Sequence, residues 1–290
     1  MKKIAAVVVT FNNTEMLNNL LMDLQNQSRP LDEIIVIDNS TTDETKNMVA
    51  AIYPNTRYIK LIENQGSAGG FYEGLKAASE NNDLIWTLDD DIRLNADSLE
   101  SLLMDLKTLY HFNKIAVIRS GGSFDSEGTP KEMDLYTWRG TLFRSDALKK
   151  VGLPEKKYFI YGEDLEHSIR LKKGGFSLYW APSSIIREAR DDKTVIKIFG
   201  LKSKMYMDSF RFYYAFRNEI YIYTRYWCPA RLFRIFLYIW KVLFYMIFVD
   251  RTHSLKKIHA IGLGVFDGFR GRLGKNMKFI PNNKITGSTS

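Results

Sequence analysis

One regular alternation constrains this chain most: apolar runs of strand length take turns with segments whose apolar residues recur at helical spacing. Ile4–Thr10 is a β-branched-rich run typical of a central parallel strand. Asn12-Asn13-Thr14 supplies turn and N-cap chemistry, and Met16, Leu17, Leu20, Leu21 and Leu24 follow with helical periodicity until Arg29-Pro30. Ile34–Ile37 forms a second run that stops at Asp38-Asn39-Ser40, Thr42–Ala51 a second helix and Tyr58–Ile62 a third strand. Parallel neighbours need a crossover, so a β-α-β-α-β order predicts an α/β fold with a doubly wound, mostly parallel, Rossmann-like sheet. Ligands of such sheets bind at the carboxyl ends of the strands.

The next segments bring chemistry to that edge. Glu63-Asn-Gln-Gly66-Ser-Ala-Gly69-Gly70-Phe71 is a glycine-rich loop opening a helix through Ala78, where backbone amides can approach a phosphate. A tight turn explains the same glycines, and their place after the third strand departs from the dinucleotide fingerprint. Leu84-Ile-Trp-Thr-Leu88 then ends in Asp89-Asp90-Asp91. Three adjacent carboxylates repel unless a cation sits among them, and Mg²⁺ or Mn²⁺ takes one or two carboxylates and fills its shell with water and phosphate. A solvated acidic turn is the competing reading. Ala96–Tyr110 reads as an amphipathic helix and Lys114–Ile118 as a fifth strand, followed by a polar loop, Gly121–Pro130. Tyr136–Phe143 reads as a strand, Asp146–Val151 as a short helix and Phe176–Trp180 as a last strand before Pro182. Between them, Tyr158-Phe-Ile-Tyr-Gly162-Glu163-Asp164-Leu-Glu166-His167 opens a helix to Lys172. Acids there cap a helix, and an acid at a pocket rim also serves as a general base.

Charge divides the chain near residue 200. Residues 1–200 carry 25 Lys/Arg against 29 Asp/Glu, whereas residues 201–290 carry 16 against 4, so the overall charge of +8 belongs to the C-terminal region. Tyr206 to Phe248 is rich in aromatic, aliphatic and basic residues, broken at Cys228-Pro229. Its most apolar part, Ile235–Val249, falls short of the roughly 20 residues that span a bilayer. Basic helices with such a face lie in the interface of an acidic membrane; a packing or oligomer surface is the alternative. No nucleic-acid-binding motif accompanies the charge. The single cysteine, Cys228, excludes a disulfide framework and a cysteine-based zinc site. Met1-Lys-Lys lacks the apolar length and cleavage site of a signal peptide. Asn282–Ser290 reads as a frayed tail.

Five motifs in order resemble one family. Val7-Val-Val-Thr-Phe-Asn12, Ile35-Val-Ile-Asp-Asn-Ser40, Asn64-Gln-Gly-Ser-Ala-Gly-Gly-Phe71, Leu88-Asp-Asp-Asp-Ile-Arg93 and Tyr161-Gly-Glu-Asp164 are similar to family 2 glycosyltransferases of the GT-A fold. Weaker likeness continues in Tyr213-Tyr-Ala-Phe-Arg-Asn218 and Gly262–Gly274. Within that family the chain resembles bacterial galactofuranosyltransferases, then rhamnosyltransferases.

The resemblance, which covers about residues 4–190, implies a catalytic domain over residues 1–200, and composition makes residues 201–290 a basic, aromatic-rich helical region for membrane association or oligomerisation. The resemblance implies a donor site of Thr10, Phe11, Asp38, Asn64, Gly66, Gly69, Gly70, Asp89, Asp90 and Arg93, with Asp91 and Asp90 on a Mn²⁺ or Mg²⁺ that bridges the diphosphate. Asp164 would deprotonate the acceptor hydroxyl, with Glu163 in support, and the configuration would invert. Many relatives carry a metal-binding histidine after the last sheet strand; here Ser184-Ile-Ile-Arg187-Glu188 has none, and Glu188 is the replacement ligand. His111, His167, His253 and His259 are expected to be structural or solvated. The arginine-tryptophan motif of processive members is absent. The implied partners are a nucleotide-sugar donor and a lipid-linked glycan at the cytoplasmic face of the cell membrane, with self-association as a further use of the C-terminal helices.

Overall fold

In the computed structural model the described residues are 2–122, 128–188, 194–198, 201–205, 208–248 and 254–280. The expected tail at 282–290, part of the polar loop at 121–130, and His253 lie outside them. The strands are β1 (Ile4–Thr10), β2 (Glu33–Asp38), β3 (Arg57–Lys60), β4 (Leu84–Asp89), β5 (Ile92–Leu94), β6 (Ile115–Gly122), β7 (Lys131–Glu132), β8 (Thr141–Arg144), β9 (Ser177–Glu188), β10 (Thr194–Ile198) and β11 (Leu201–Met205). The helices are α1 (Thr14–Gln25), α2 (Glu44–Ile52), α3 (Gly66–Ala78), α4 (Ser98–Thr108), α5 (Ser145–Val151), α6 (Glu163–Lys173), α7 (Ser209–Arg225), α8 (Pro229–Phe248) and α9 (Ser254–Phe269). Two compact units result: Met1–Phe159 with Glu163–Asp191, and Ile160–Gly162 with Asp192–Ser290.

The first unit is built on one sheet in the order β3-β2-β1-β4-β8-β6-β9-β5, with β7 on β9. β3, β2, β1 and β4 are mutually parallel, as the alternation predicts. β8 then runs antiparallel to both β4 and β6, while β6 and β9 are parallel again. Both faces are apolar because successive side chains of β1 point to opposite sides. Ile4, Ala6 and Val8 join Leu17, Leu20, Leu21 and Leu24 of α1 and Leu99 and Leu102 of α4 in one core. Ala5 and Val7 join Phe71 and Leu75 of α3, with Leu171 of α6, in the other.

Three sequence readings change. The strand expected over Tyr136–Phe143 begins only at Thr141, because the Tyr136 and Trp138 side chains turn into the second core and leave their backbone off the ladder. The strand expected to stop before Pro182 continues to Glu188. Proline has no N–H for a ladder, and it sits where the β6–β9 register shifts between Ser120 and Gly121. The glycine-rich loop is not a loop beyond Gly66, since Gly69 and Gly70 lie inside α3. A Cβ on Gly70 would sit 2.5 Å from Val9 Cγ1, and one on Gly74 2.3 Å from Val7 Cγ1. These glycines let α3 pack closely on β1.

In the second unit β10 and β11 form an antiparallel ladder. Phe212, Phe216 and Ile220 of α7 pack with Ile235, Ile239, Val242 and Met246 of α8 and Ile261 of α9. On α9, Cβ atoms at Gly264 and Gly268 would meet the carbonyl oxygens of Tyr213 and Arg217 at 2.7 and 2.6 Å, so both glycines permit the α7–α9 contact. The remaining surface of α8 exposes Phe233, Leu237, Trp240, Ile247 and Phe248. Among the described residues no helix is long and apolar enough to cross a membrane.

Candidate active site

Strand register assembles the site edge. Thr10 lies opposite Asp38, and Val9 opposite Asp89, so β2, β1 and β4 deliver their last residues side by side. Beyond β4 the chain turns through Asp90 and Asp91 into β5, which pairs Ile92 with Glu188 at the end of β9.

Asp90 is held from three directions. Its Oδ2 accepts from Thr10 Oγ1 at 2.6 Å and from the Phe11 N–H at 3.4 Å, and its Oδ1 accepts from Asn13 Nδ2 at 3.0 Å. Asn13 occupies the N-cap of α1 but makes no side-chain cap bond; its amide serves Asp90 instead. Asn12, at φ +50°, accepts from the Thr41 N–H, joining the ends of β1 and β2. Asp38 is fully buried: Oδ1 accepts from the Ser40 N–H at 2.7 Å and Oδ2 from the Tyr58 hydroxyl. Thr10 and Asp38, expected to hold nucleoside, therefore use these polar atoms to build the strand ends.

The glycine segment is organised by two asparagines. Asn39 donates to the Gly66 carbonyl at 3.2 Å and accepts from the Gln65 N–H at 2.9 Å, while Asn64 Oδ1 accepts from the Gly66 N–H at 2.8 Å. Gly66 has φ +69°, and a Cβ there would lie 1.9 Å from the Phe159 carbonyl oxygen. That same carbonyl accepts from the Ala68 N–H at 3.1 Å. This amide at the start of α3 is thus committed to Phe159.

Glu163, the first residue of α6, is only 2% exposed. Its Oε1 accepts from Ser67 Oγ at 2.5 Å and from Trp138 Nε1 at 3.1 Å, whereas Oε2 is buried with no hydrogen-bond partner among the described residues. Burial, reinforced by the Asp164 charge, pushes its carboxyl up to about 7. Trp138 also stacks on Phe71, with ring centroids 4.2 Å apart. Asp164 Oδ1 accepts from the Leu165 N–H at 2.8 Å, which orients the carboxylate at the start of α6.

The acids of the site feel one another. Asp89 is pushed up to about 8, first by desolvation and then by Asp91 and Asp90, with Arg139 opposing and Glu163 adding to the rise. Asp90 is pushed up to about 6 by desolvation, against the stabilising bonds from Thr10 and Asn13. Crowded, poorly hydrated carboxylates of this kind favour an added positive charge. The electrostatics therefore fit a divalent cation, although among the described residues no three His, Cys, Asp or Glu side chains form a ligand cluster. An ion of the Mg²⁺ type needs only one or two carboxylates when water and phosphate fill the rest of its shell.

Two expected residues are occupied elsewhere. Glu188, expected to replace the histidine, forms an ion pair with Arg139. Arg93 pairs in bidentate fashion with Asp23 of α1, at 2.7 and 2.8 Å, and so ties β5 to α1. His167 is structural: Nε2–H donates to the Gly152 carbonyl at 2.9 Å, Nδ1 accepts from the Tyr136 hydroxyl at 2.7 Å, and burial pushes the ring down to about 3. Sequence reasoning missed Asn13, Ser67, Trp138 and Arg139 as site residues. The first two lie within or beside the quoted motifs; Trp138 and Arg139 carry no local signal.

Comparisons with known proteins agree with this architecture. Residues 5–162 match the model of the family described as Glycosyl transferase family 2. The chain is 27% identical over 199 residues to galactofuranosyltransferase GlfT1 of Mycolicibacterium smegmatis, a match spanning 59% of this chain and 66% of that protein, just under two thirds. It is 25% identical over 297 residues to the dTDP-rhamnosyl transferase RfbF of Shigella flexneri, spanning 93% of this chain and 97% of that one. A third relative, 29% identical over 192 residues, is the GalNAc(5)-diNAcBac-PP-undecaprenol beta-1,3-glucosyltransferase of Campylobacter jejuni, with 60% of each chain matched. Among solved structures, GalNAc-T7 with UDP, GalNAc and Mn²⁺ superposes with a TM-score of 0.59 at 12% identity, over 77% of this chain and 48% of that one. S. aureus TarS residues 1–349 with UDP gives 0.52 at 17% identity, over 76% and 65%. The fold is that of the GT-A glycosyltransferases, and the chain belongs to glycosyltransferase family 2.

Proposed function

We propose that this glycosyltransferase moves galactofuranose from UDP-galactofuranose to a hydroxyl of a lipid-linked glycan, with inversion, in cell-surface polysaccharide synthesis at the cytoplasmic face of the membrane. The observation that carries the reading is the run of mutually interacting acids from Asp91 and Asp89 to Glu163 and Asp164. In this reading Asp164 takes the acceptor proton, a role typically worth about 10²–10⁴-fold in rate. Glu163, held by Ser67 and Trp138, keeps the start of α6 in place and presents Oε2 to a sugar hydroxyl. Asp91 and Asp90 would hold Mn²⁺ or Mg²⁺, which when bound stabilises the charge building on a departing diphosphate.

The exposed aromatic and aliphatic side chains of α8, with the basic residues of this region, support peripheral membrane association. The relative named for its undecaprenol-linked substrate supports a lipid-linked acceptor.

A second reading changes the donor to dTDP-rhamnose; what favours it is the match to the Shigella rhamnosyl transferase over 93% of this chain. Thermal shifts with UDP-galactofuranose and dTDP-rhamnose, each with and without Mn²⁺, decide between the donors, since a ligand of the folded state raises its stability. Donor binding without release of nucleoside diphosphate in the presence of lipid-linked glycan would overturn both readings in favour of a non-catalytic nucleotide-sugar-binding partner.

A further inference from the structure

The turn that leads into Glu163 and Asp164 has an unfavourable backbone. Phe159 has φ +67° and ψ −62°, Tyr161 has φ +65° and Gly162 has φ +85°. Only glycine visits such conformations readily, so two aromatic residues there need something to hold them. Ile160–Gly162 belongs to the unit that contains α7 to α9, although the next residue begins α6 of the sheet unit.

Asn218 of α7, fully buried, supplies the hold. Its Nδ2 donates to the Ile160 carbonyl at 2.9 Å and to the Tyr161 carbonyl at 2.6 Å. Both protons of the amide are therefore used on consecutive carbonyls of the turn. Its Oδ1 accepts from Arg217 Nε at 2.8 Å, which fixes which end of the amide is the nitrogen. Arg217 is buried in turn, with Nη1 donating to the Gly274 carbonyl at 2.6 Å and its guanidinium 4.6 Å from the Tyr214 ring centre. Gly162 completes the fit: a Cβ there would meet Ile222 and Asn218 at 3.1 and 3.2 Å, in a backbone conformation that already favours glycine.

We infer that Asn218 is a positioning residue for the catalytic acids: it holds the Ile160–Gly162 turn, and through one further peptide bond it sets where α6 starts and where Asp164 points. Arg217 orients Asn218. Their effect, transmitted through the turn, falls on the chemical step and not on donor binding. A displacement of about 1 Å at a reacting centre can cost about 10²-fold in rate. The inference rests on the reading of Asp164 as the base.

Asn218→Asp tests it without sacrificing the fold. A carboxylate at this position pairs with the buried Arg217 guanidinium but donates nothing to the two carbonyls. The expected result is a thermal midpoint close to that of the parent, faster amide exchange confined to the peptide spanning Phe159–Leu165, and kcat down by about 10- to 100-fold with the donor Kd within about twofold. Turnover is read as release of UDP from UDP-galactofuranose or dTDP from dTDP-rhamnose, with a lipid extract as acceptor source. Asn218→Ala is the second variant, expected to show the same exchange signature with some loss of stability. A parent-like kcat in Asn218→Asp, or unchanged exchange in that peptide in both variants, overturns the inference. An inactive parent protein with normal exchange behaviour would instead count against the transferase reading.

Discussion

Trp138 donates its indole N–H to the buried carboxylate of Glu163 at 3.1 Å while its ring lies flat on Phe71. One side chain thereby joins α3, which carries the glycine motif, to α6, which begins with Glu163 and Asp164, and neither motif includes it. Trp138→Phe should keep the stacking and lose the donor. Leaving a buried acceptor short of a partner costs about 1–3 kcal/mol, so an unfolding free energy from urea titration lowered by that amount, without loss of secondary structure by circular dichroism, is the expected outcome.

Glu163 also makes stability depend on pH. In the unfolded chain it ionises near 4.5, whereas in the folded protein it keeps its proton to about 7. Between those values the folded state binds more protons, so stability falls as pH rises through the window and levels off above it. Glu163→Gln preserves an acceptor for Ser67 and Trp138 but removes the titration. Thermal midpoints measured at intervals from about pH 4 to about pH 8 should show a smaller decline in the variant than in the parent.

Asp164→Asn keeps an oxygen for the Leu165 N–H and so keeps the start of α6. Transfer should drop by about 10²–10⁴-fold while the donor Kd, by calorimetry, stays near that of the parent. Comparable transfer in the variant would place the base elsewhere.

Gly66 and Gly122 differ in what surrounds them. Alanine at Gly66 would need φ +69° and would drive its Cβ into the Phe159 carbonyl, whereas among the described residues nothing lies within 4 Å of a Cβ on Gly122. Gly66→Ala should lose about 1–3 kcal/mol or more together with donor affinity, and Gly122→Ala should stay within about 0.5 kcal/mol of the parent, both read from denaturant unfolding.

The exposed face of α8 gives the last expectation. Phe233 and Trp240 are 65% and 72% exposed. Each such side chain contributes about 1.5–3 kcal/mol when an apolar medium takes it from water. Replacing both with serine should weaken binding to vesicles containing acidic lipid by at least about tenfold, measured by co-sedimentation, and leave the thermal midpoint nearly unchanged because neither contributes to the buried core.

What the amino-acid sequence determined by itself was the order of the first parallel strands and their helices, and the place of the acids along it. Apolar periodicity is a local property, and the first four parallel strands, their crossover helices and the acidic end of β4 follow from residues that are neighbours in the chain. Tertiary structure decided what those acids are bonded to. Asn13 reaches Asp90 across 77 residues, and Ser67 reaches Glu163 across 96. Arg139 became the partner of Glu188 through the pairing of distant segments. Gly69 and Gly70 lie inside α3, where a Cβ would meet the Gln65 side chain and Val9 of β1. Each of these depends on which strands pair and how closely a helix approaches the sheet. Those are properties of the packed chain, and a desolvated carboxylate acquires its chemistry only there.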